Sequence, residues 1–186
     1  MATSTLSRTL HDAGLAAWFG GSLMGAVGLN GAAGAVDDPR ESGRVANVGW
    51  NRWTPVNALA IGAHLVGSVG QLGSNAERVG AQRGVATMSV VKTLLTVTAM
   101  GATAYSRVLG RKLAHGGDVP AEDGTTPAPS TPPDLANAQR TLKLMQWVVP
   151  ATTGALLVVS SYAGEQQRAS EVVKGTGARW FSFSRS

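Results

Sequence analysis

Uncharged stretches long enough to cross a bilayer alternate with charged ones along the chain. Ala13 to Val36 and Trp53 to Ala76 each run 24 residues without Asp, Glu, Lys or Arg. Gly84 to Ser106 is interrupted only by Lys92, and Leu144 to Gly164 gives a further 21 uncharged residues. A hydrocarbon core of about 30 Å needs about 20 helical residues. The pattern therefore predicts an all-α membrane protein, with four transmembrane helices at about 13–36, 54–76, 85–112 and 134–164 in one antiparallel bundle. Ala33-Gly34-Ala35 has the form of a signal-peptidase site, but the uncharged run before it is far longer than a signal-peptide apolar region, so a retained helix is expected.

The intervening segments suggest how the helices connect. Residues 37–52 carry Asp37, Asp38, Arg40, Glu41 and Arg44 and are expected to form a charged loop. That loop closes at Thr54 and Pro55, which suit the N-cap and first turn of the second helix. A short connection containing Asn75, Glu77 and Arg78 makes helices two and three an antiparallel hairpin. Residues 116–132 are rich in Pro and Thr without hydrophobic periodicity, so this loop is expected to be mobile and open to proteases. The fourth helix starts near Pro133 or Asp134 and should kink at Pro150. Residues 165–186 form a basic tail with Trp180, Phe181 and Phe183, suited to anionic lipid or to a partner.

Composition explains why the spans are only weakly hydrophobic. The chain has 24 Gly among 186 residues, and mean hydropathy is +0.05 because the spans use Gly, Ala, Ser and Thr. Cysteine is absent, which excludes disulfides, thiolate zinc sites and cysteine nucleophiles. The net charge of +5 lies between neutral runs rather than on a nucleic-acid face. With the termini inside, Lys and Arg divide eight to eight across the membrane. The charge rule therefore ties, and the neutral Pro/Thr linker, an ordinary translocated loop, tips the expectation towards termini inside.

Small residues suggest how the helices associate. Gly14, Gly21, Gly28 and Ala35 repeat every seven residues in helix one, with Gly25 and Ala32 between them. Helix two presents Ala60, Ala63, Gly67, Gly70 and Ser74. In lipid, such faces let two backbones approach closely, so helices one and two are expected to pack through them; a glycine-lined substrate or quinone groove is the alternative.

Beside that stripe runs a polar one on helix two, with Asn57, His64 and Gln71 seven apart and Ser68 one turn after His64. Polar groups at membrane depth face the bundle interior or a wet path. His64 suits an interhelical hydrogen bond, a proton-coupled or ligand-contacting role, or metal or haem ligation. A haem clamp needs a second axial ligand at the same depth. His11 is expected about 16 Å away along the membrane normal, while Met24, Met88, Met100 and Met145 suit packing. Lys92 can snorkel to the surface or turn inward towards Ser68 or Gln71. No carboxylate pair, Ser/His/Asp set or HExxH occurs in the spans, so no catalytic, cofactor or metal residue is assigned and no enzyme is expected.

Trp50, Trp53, Tyr105 and Trp147 on one side, with Trp18, Tyr162 and Trp180 on the other, suit interfacial belts. The segments LHDAGLAAWFGGSLMGAVGLNGAAGA and AQRTLKLMQWVVPATTGALLVVSSYAGEQQR resemble uncharacterised four-helix integral membrane proteins of actinobacteria, loosely of the DoxX type. The resemblance implies a host and a topology but no chemistry. The reading is a multi-pass plasma-membrane protein that contacts lipid and other membrane subunits or itself, not nucleic acid. It is expected to act as a non-catalytic accessory or structural subunit of a respiratory or envelope assembly. The alternatives are a small carrier or channel using the polar stripe, and a quinone- or haem-linked redox protein.

Overall fold

A computed structural model describes the backbone of residues 2–74 and 83–183, and the side chains of residues 5–73 and 87–164. The connection around Asn75 to Arg78 and the side chains of Trp180, Phe181 and Phe183 lie outside them. The described chain is all helical apart from its turns and one isolated bridge between Ala121 and Pro127. The order is α1 (Ala2–Met24), a π-turn (Gly25–Leu29), α2 (Asn30–Gly34), α3 (Pro39–Ser74), α4 (Arg83–His115) and α5 (Pro133–Phe183). Among the described residues, one stretch, Pro133–Gly164, combines the length and mean hydropathy, 1.4, needed to cross a membrane.

Helix boundaries differ from the sequence expectation at three places, each for a local reason. Residues 39–53 are helix, not loop, because the chain carries a start signal at Asp38: its Oδ1 accepts the Arg40 N–H at 2.9 Å, and Pro39 and Glu41 fill the first turn. Thr54 does not cap anything; its hydroxyl donates to the Trp50 carbonyl one turn back at 2.9 Å, and Pro55 sits inside α3. Residues 165–183 continue α5 rather than forming a separate tail, and α5 runs unbroken through Pro150. α4 stops at His115 because the chain turns through Gly117 at φ +81°, where glycine alone is unstrained.

α1 and α3 pack antiparallel, and glycine sets their register. A Cβ at Gly14 would collide with the Ala60 carbonyl and the His64 backbone, one at Gly67 with the His11 backbone, and one at Gly70 with Ser7. Gly21 and Gly25 leave room for the rings of Trp53 and Trp50. Those indoles are therefore wedges between helices. Trp18 is fully buried with Ala60, Ala99, Ala102 and Val149, and its indole N–H donates to Thr103 Oγ1 at 3.2 Å.

The seven-residue stripe does not continue through Gly28. Among the described residues a Cβ there would meet only the Met24 side chain of the preceding turn within 4 Å. The π-turn winds one extra residue into the helix and rotates the residues beyond it, so Asn30 and Ala33 face inward instead. Asn30 donates to Gln146 Oε1 at 2.6 Å and accepts from the Trp50 indole at 3.1 Å, joining α2, α3 and α5.

α4 and α5 form the second hairpin through Leu109, Leu113, Ala138 and Leu142. α1 lies against α5, with Phe19 facing Gly154. Among the described residues the α3 and α4 backbones stand further apart than those of the other packed pairs, and side chains such as those of Arg107 and Asn51 span the gap.

The 116–132 loop is packed, contrary to the expectation of a mobile linker. Val119, Ala121, Thr125, Ala128 and Thr131 are buried. The Pro120 carbonyl accepts from Thr131 Oγ1 at 2.7 Å and Gln139 Nε2 at 3.0 Å, and the Ala121 N–H donates to the Pro39 carbonyl at 2.9 Å. Its prolines have little freedom left to lose.

Candidate functional site

The polar stripe of α3 falls into separate environments rather than one continuous line. His64 is fully buried, and its ring lies 4.5 Å from that of His11 and 6.1 Å from that of Trp18, centroid to centroid. Its Nδ1 is 3.3 Å from the His11 carbonyl oxygen. Because a carbonyl only accepts, Nδ1 carries the hydrogen. Nε2 then faces the Thr96 hydroxyl at 3.5 Å, but that hydroxyl already donates to the Lys92 carbonyl at 2.9 Å.

The contact between His11 and His64 overturns the expected 16 Å separation. That figure paired the two uncharged runs span to span; the Gly/Trp register slides α3 along α1 and brings both imidazoles to one level. The rings touch, so a haem plane does not fit between them as they stand. His11 Nδ1 meets Asp12 Oδ1 at 2.7 Å, while its Nε2 is buried without a partner.

Ser68 donates to the His64 carbonyl of its own helix at 2.8 Å, and Gln71 and Lys92 are half-buried. Asn57 instead lines a cavity of about 200 Å³ bounded chiefly by α3, α4 and α5.

That cavity gathers side chains whose sequence contexts suggest different roles. Trp50, Trp53 and Asn57 come from α3, Ser106 and Arg107 from α4, and Gln146 from α5. Trp53 Nε1, Asn57 Oδ1, Ser106 Oγ and Arg107 Nε are buried there without a hydrogen-bond partner. Arg107 Nη1 donates to Asn51 Oδ1 at 2.5 Å, and among the described residues no carboxylate pairs with this guanidinium. Ile61 and Val149 supply apolar wall. The sequence does hold a signal for this face: Thr103, Ser106, Arg107 and Gly110 recur at three- and four-residue spacing. Its meaning is masked when Arg107 is counted as loop charge.

Three of the four unpartnered groups can donate, and one is the side chain of a permanent cation. The arrangement suits a ligand group rich in acceptor oxygens. Among the described residues no three His, Asp or Glu side chains come together as a metal-binding set. No protein-family model matches the chain, and no curated protein or solved structure is similar to it.

Proposed function

We propose that the protein is a multi-pass integral membrane protein whose four long helical segments cross the plasma membrane as an antiparallel bundle. In this reading it is a non-catalytic accessory or structural subunit of a larger membrane assembly. The observation that carries the reading is the extent of large apolar side chain left outside, with several polar groups buried within the bundle. His64 and Thr153 are fully buried, and Asn30 and Gln146 nearly so, whereas Leu59 is 75% exposed and Val69 and Val158 70%. Leu94, Val97, Val66 and Leu144 also point outward. Water disfavours apolar surface on this scale, whereas lipid accepts it and drives polar groups inward. The weak hydropathy of α1, α3 and α4 follows from the glycine and alanine that their packing uses.

A carrier role is the second reading, supported by Asn57 and Arg107 lining one cavity. The redox alternative draws no support from His11 and His64, whose rings are in contact.

Alkaline carbonate extraction of membranes, followed by native mass spectrometry of a gently solubilised sample, tests the proposal. The chain is expected to stay in the pellet and to appear in a complex with other subunits. Release by carbonate overturns the membrane assignment, and a lone monomer overturns the subunit assignment.

A further inference from the structure

We propose that the cleft between α3 and α4 binds the head of an anionic lipid, a phosphate diester that also carries a hydroxyl group, with Arg107 as its charged contact. The proposal rests on the membrane reading above and adds to it a specific ligand site.

Four observations converge on this chemistry. First, Trp53, Ser106, Arg107 and Asn57 all line one cavity, and each carries a buried side-chain atom without a partner: Nε1, Oγ, Nε and Oδ1. A buried polar atom without a partner bears its full desolvation cost, so four in one place mark a surface completed by something else. Second, the set has a sense. The indole N–H and the guanidinium N–H only donate, and the hydroxyl can, so the three suit phosphate oxygens; the Asn57 oxygen accepts, so it suits a hydroxyl on the same head. Third, no carboxylate among the described residues neutralises Arg107. An anion there forms charge-assisted hydrogen bonds, the strong kind.

The fourth observation concerns access. The α3 and α4 backbones stand apart among the described residues, and side chains such as those of Arg107 and Asn51 span the gap, so a lipid entering sideways from the bilayer would part them. A space of about 200 Å³ takes a head and the start of the chains, leaving the rest of the chains in the membrane. The indole faces of Trp50 and Trp53, with Ile61 and Val149, provide apolar wall for that first part.

The test uses the full chain in a neutral detergent, titrated by native mass spectrometry with phosphatidylglycerol, phosphatidylcholine or inorganic phosphate. One phosphatidylglycerol is expected to be retained about tenfold more tightly than phosphatidylcholine, whose quaternary ammonium offsets the phosphate charge facing Arg107 and whose head has no hydroxyl for Asn57. Arg107→Gln is expected to abolish that preference. Arg111→Gln, on an exposed residue outside the cavity lining, is expected to leave it intact. Asn57→Ala should weaken phosphatidylglycerol but not phosphatidic acid, which has no head hydroxyl. If Arg107→Gln does not fold, Ser106→Ala and Trp53→Phe each delete a single donor and should each weaken phosphatidylglycerol several-fold. Equal retention of the two lipids by the unaltered protein overturns the proposal, as does a preference that survives every substitution. Displacement of the lipid by millimolar inorganic phosphate also overturns it, because the site would then take a free anion. A chain that resists carbonate extraction yet shows no lipid preference loses this site alone and keeps its membrane assignment.

Discussion

The imidazoles of His11 and His64 meet in the α1–α3 interface, 4.5 Å between centroids and tilted by 47°, although they lie fifty-three positions apart in the chain. One hydrogen bond, from His64 Nδ1 to the His11 carbonyl, ties the second ring to the backbone of the first. His64→Gln retains a donor and should cost about 1 kcal/mol, the scale of interhelical hydrogen bonds in membranes. His64→Leu deletes the donor and should cost more. Thermal unfolding of the two variants in detergent checks the order; a leucine variant as stable as the glutamine one would show that the hydrogen bond contributes nothing.

Glycine positions in α1 are not equivalent. Gly21 and Gly25 face the rings of Trp53 and Trp50, whereas among the described residues Gly28 meets nothing beyond Met24 of the preceding turn. Gly21→Leu or Gly25→Leu should destabilise the protein by about 1–3 kcal/mol or more, the cost of overpacking a filled interface. Gly28→Leu should be tolerated. Unfolding midpoints of the three single variants, measured side by side, make the comparison.

Asn30 is 6% exposed and serves two partners, Gln146 and Trp50. Asn30→Ala leaves the Gln146 oxygen and the Trp50 N–H unpaired and should cost about 1–3 kcal/mol. A double-mutant cycle with Gln146→Ala should show a coupling of the same sign, and simple additivity would place the energy elsewhere.

Asp123 organises the loop between α4 and α5. Burial alone would raise its pKa, but this is outweighed by hydrogen bonds from the Thr126 hydroxyl and the Thr125 and Thr126 N–H groups, and by the Lys143 ammonium. Its carboxyl is therefore held below the ordinary carboxylate value. A group whose pKa is depressed on folding stabilises the protein above its unfolded value of about 3.9 and loses that contribution as the pH falls through the folded one. Asp123→Asn should be less stable than the natural protein at pH 7 by about 1 kcal/mol, and the difference should close below about pH 4. A pH series of unfolding midpoints for both proteins reads this directly.

The all-helical class was legible in the uncharged runs, and the glycines at Gly14, Gly21, Gly25, Gly67 and Gly70 mark positions that face another helix. Register was not legible. It depends on Trp50 and Trp53 filling the spaces over Gly25 and Gly21, a match of shapes between distant residues that periodicity does not carry. The helical character of residues 39–53 was hidden because their charges suggested a loop, although Asp38-Pro39-Arg40-Glu41 is a sound helix start. The cavity was hidden for a related reason. Its polar lining comes from four helices, and each residue taken alone had an ordinary explanation as anchor, loop charge or hydrogen-bonding filler.

The π-turn at Gly25–Leu29 makes α1 and α2 two helices in different phase rather than one. Before it the inward face is bare backbone that admits tryptophan; after it the inward face carries the amide that binds α5 to α3. Each α-helical residue advances the winding by about 100°, so deleting a single residue within Gly25–Leu29 would swing Asn30 away from Gln146 while removing neither partner. Chain length in this one turn is thus a specification in its own right, separate from the identity of any amino acid within it.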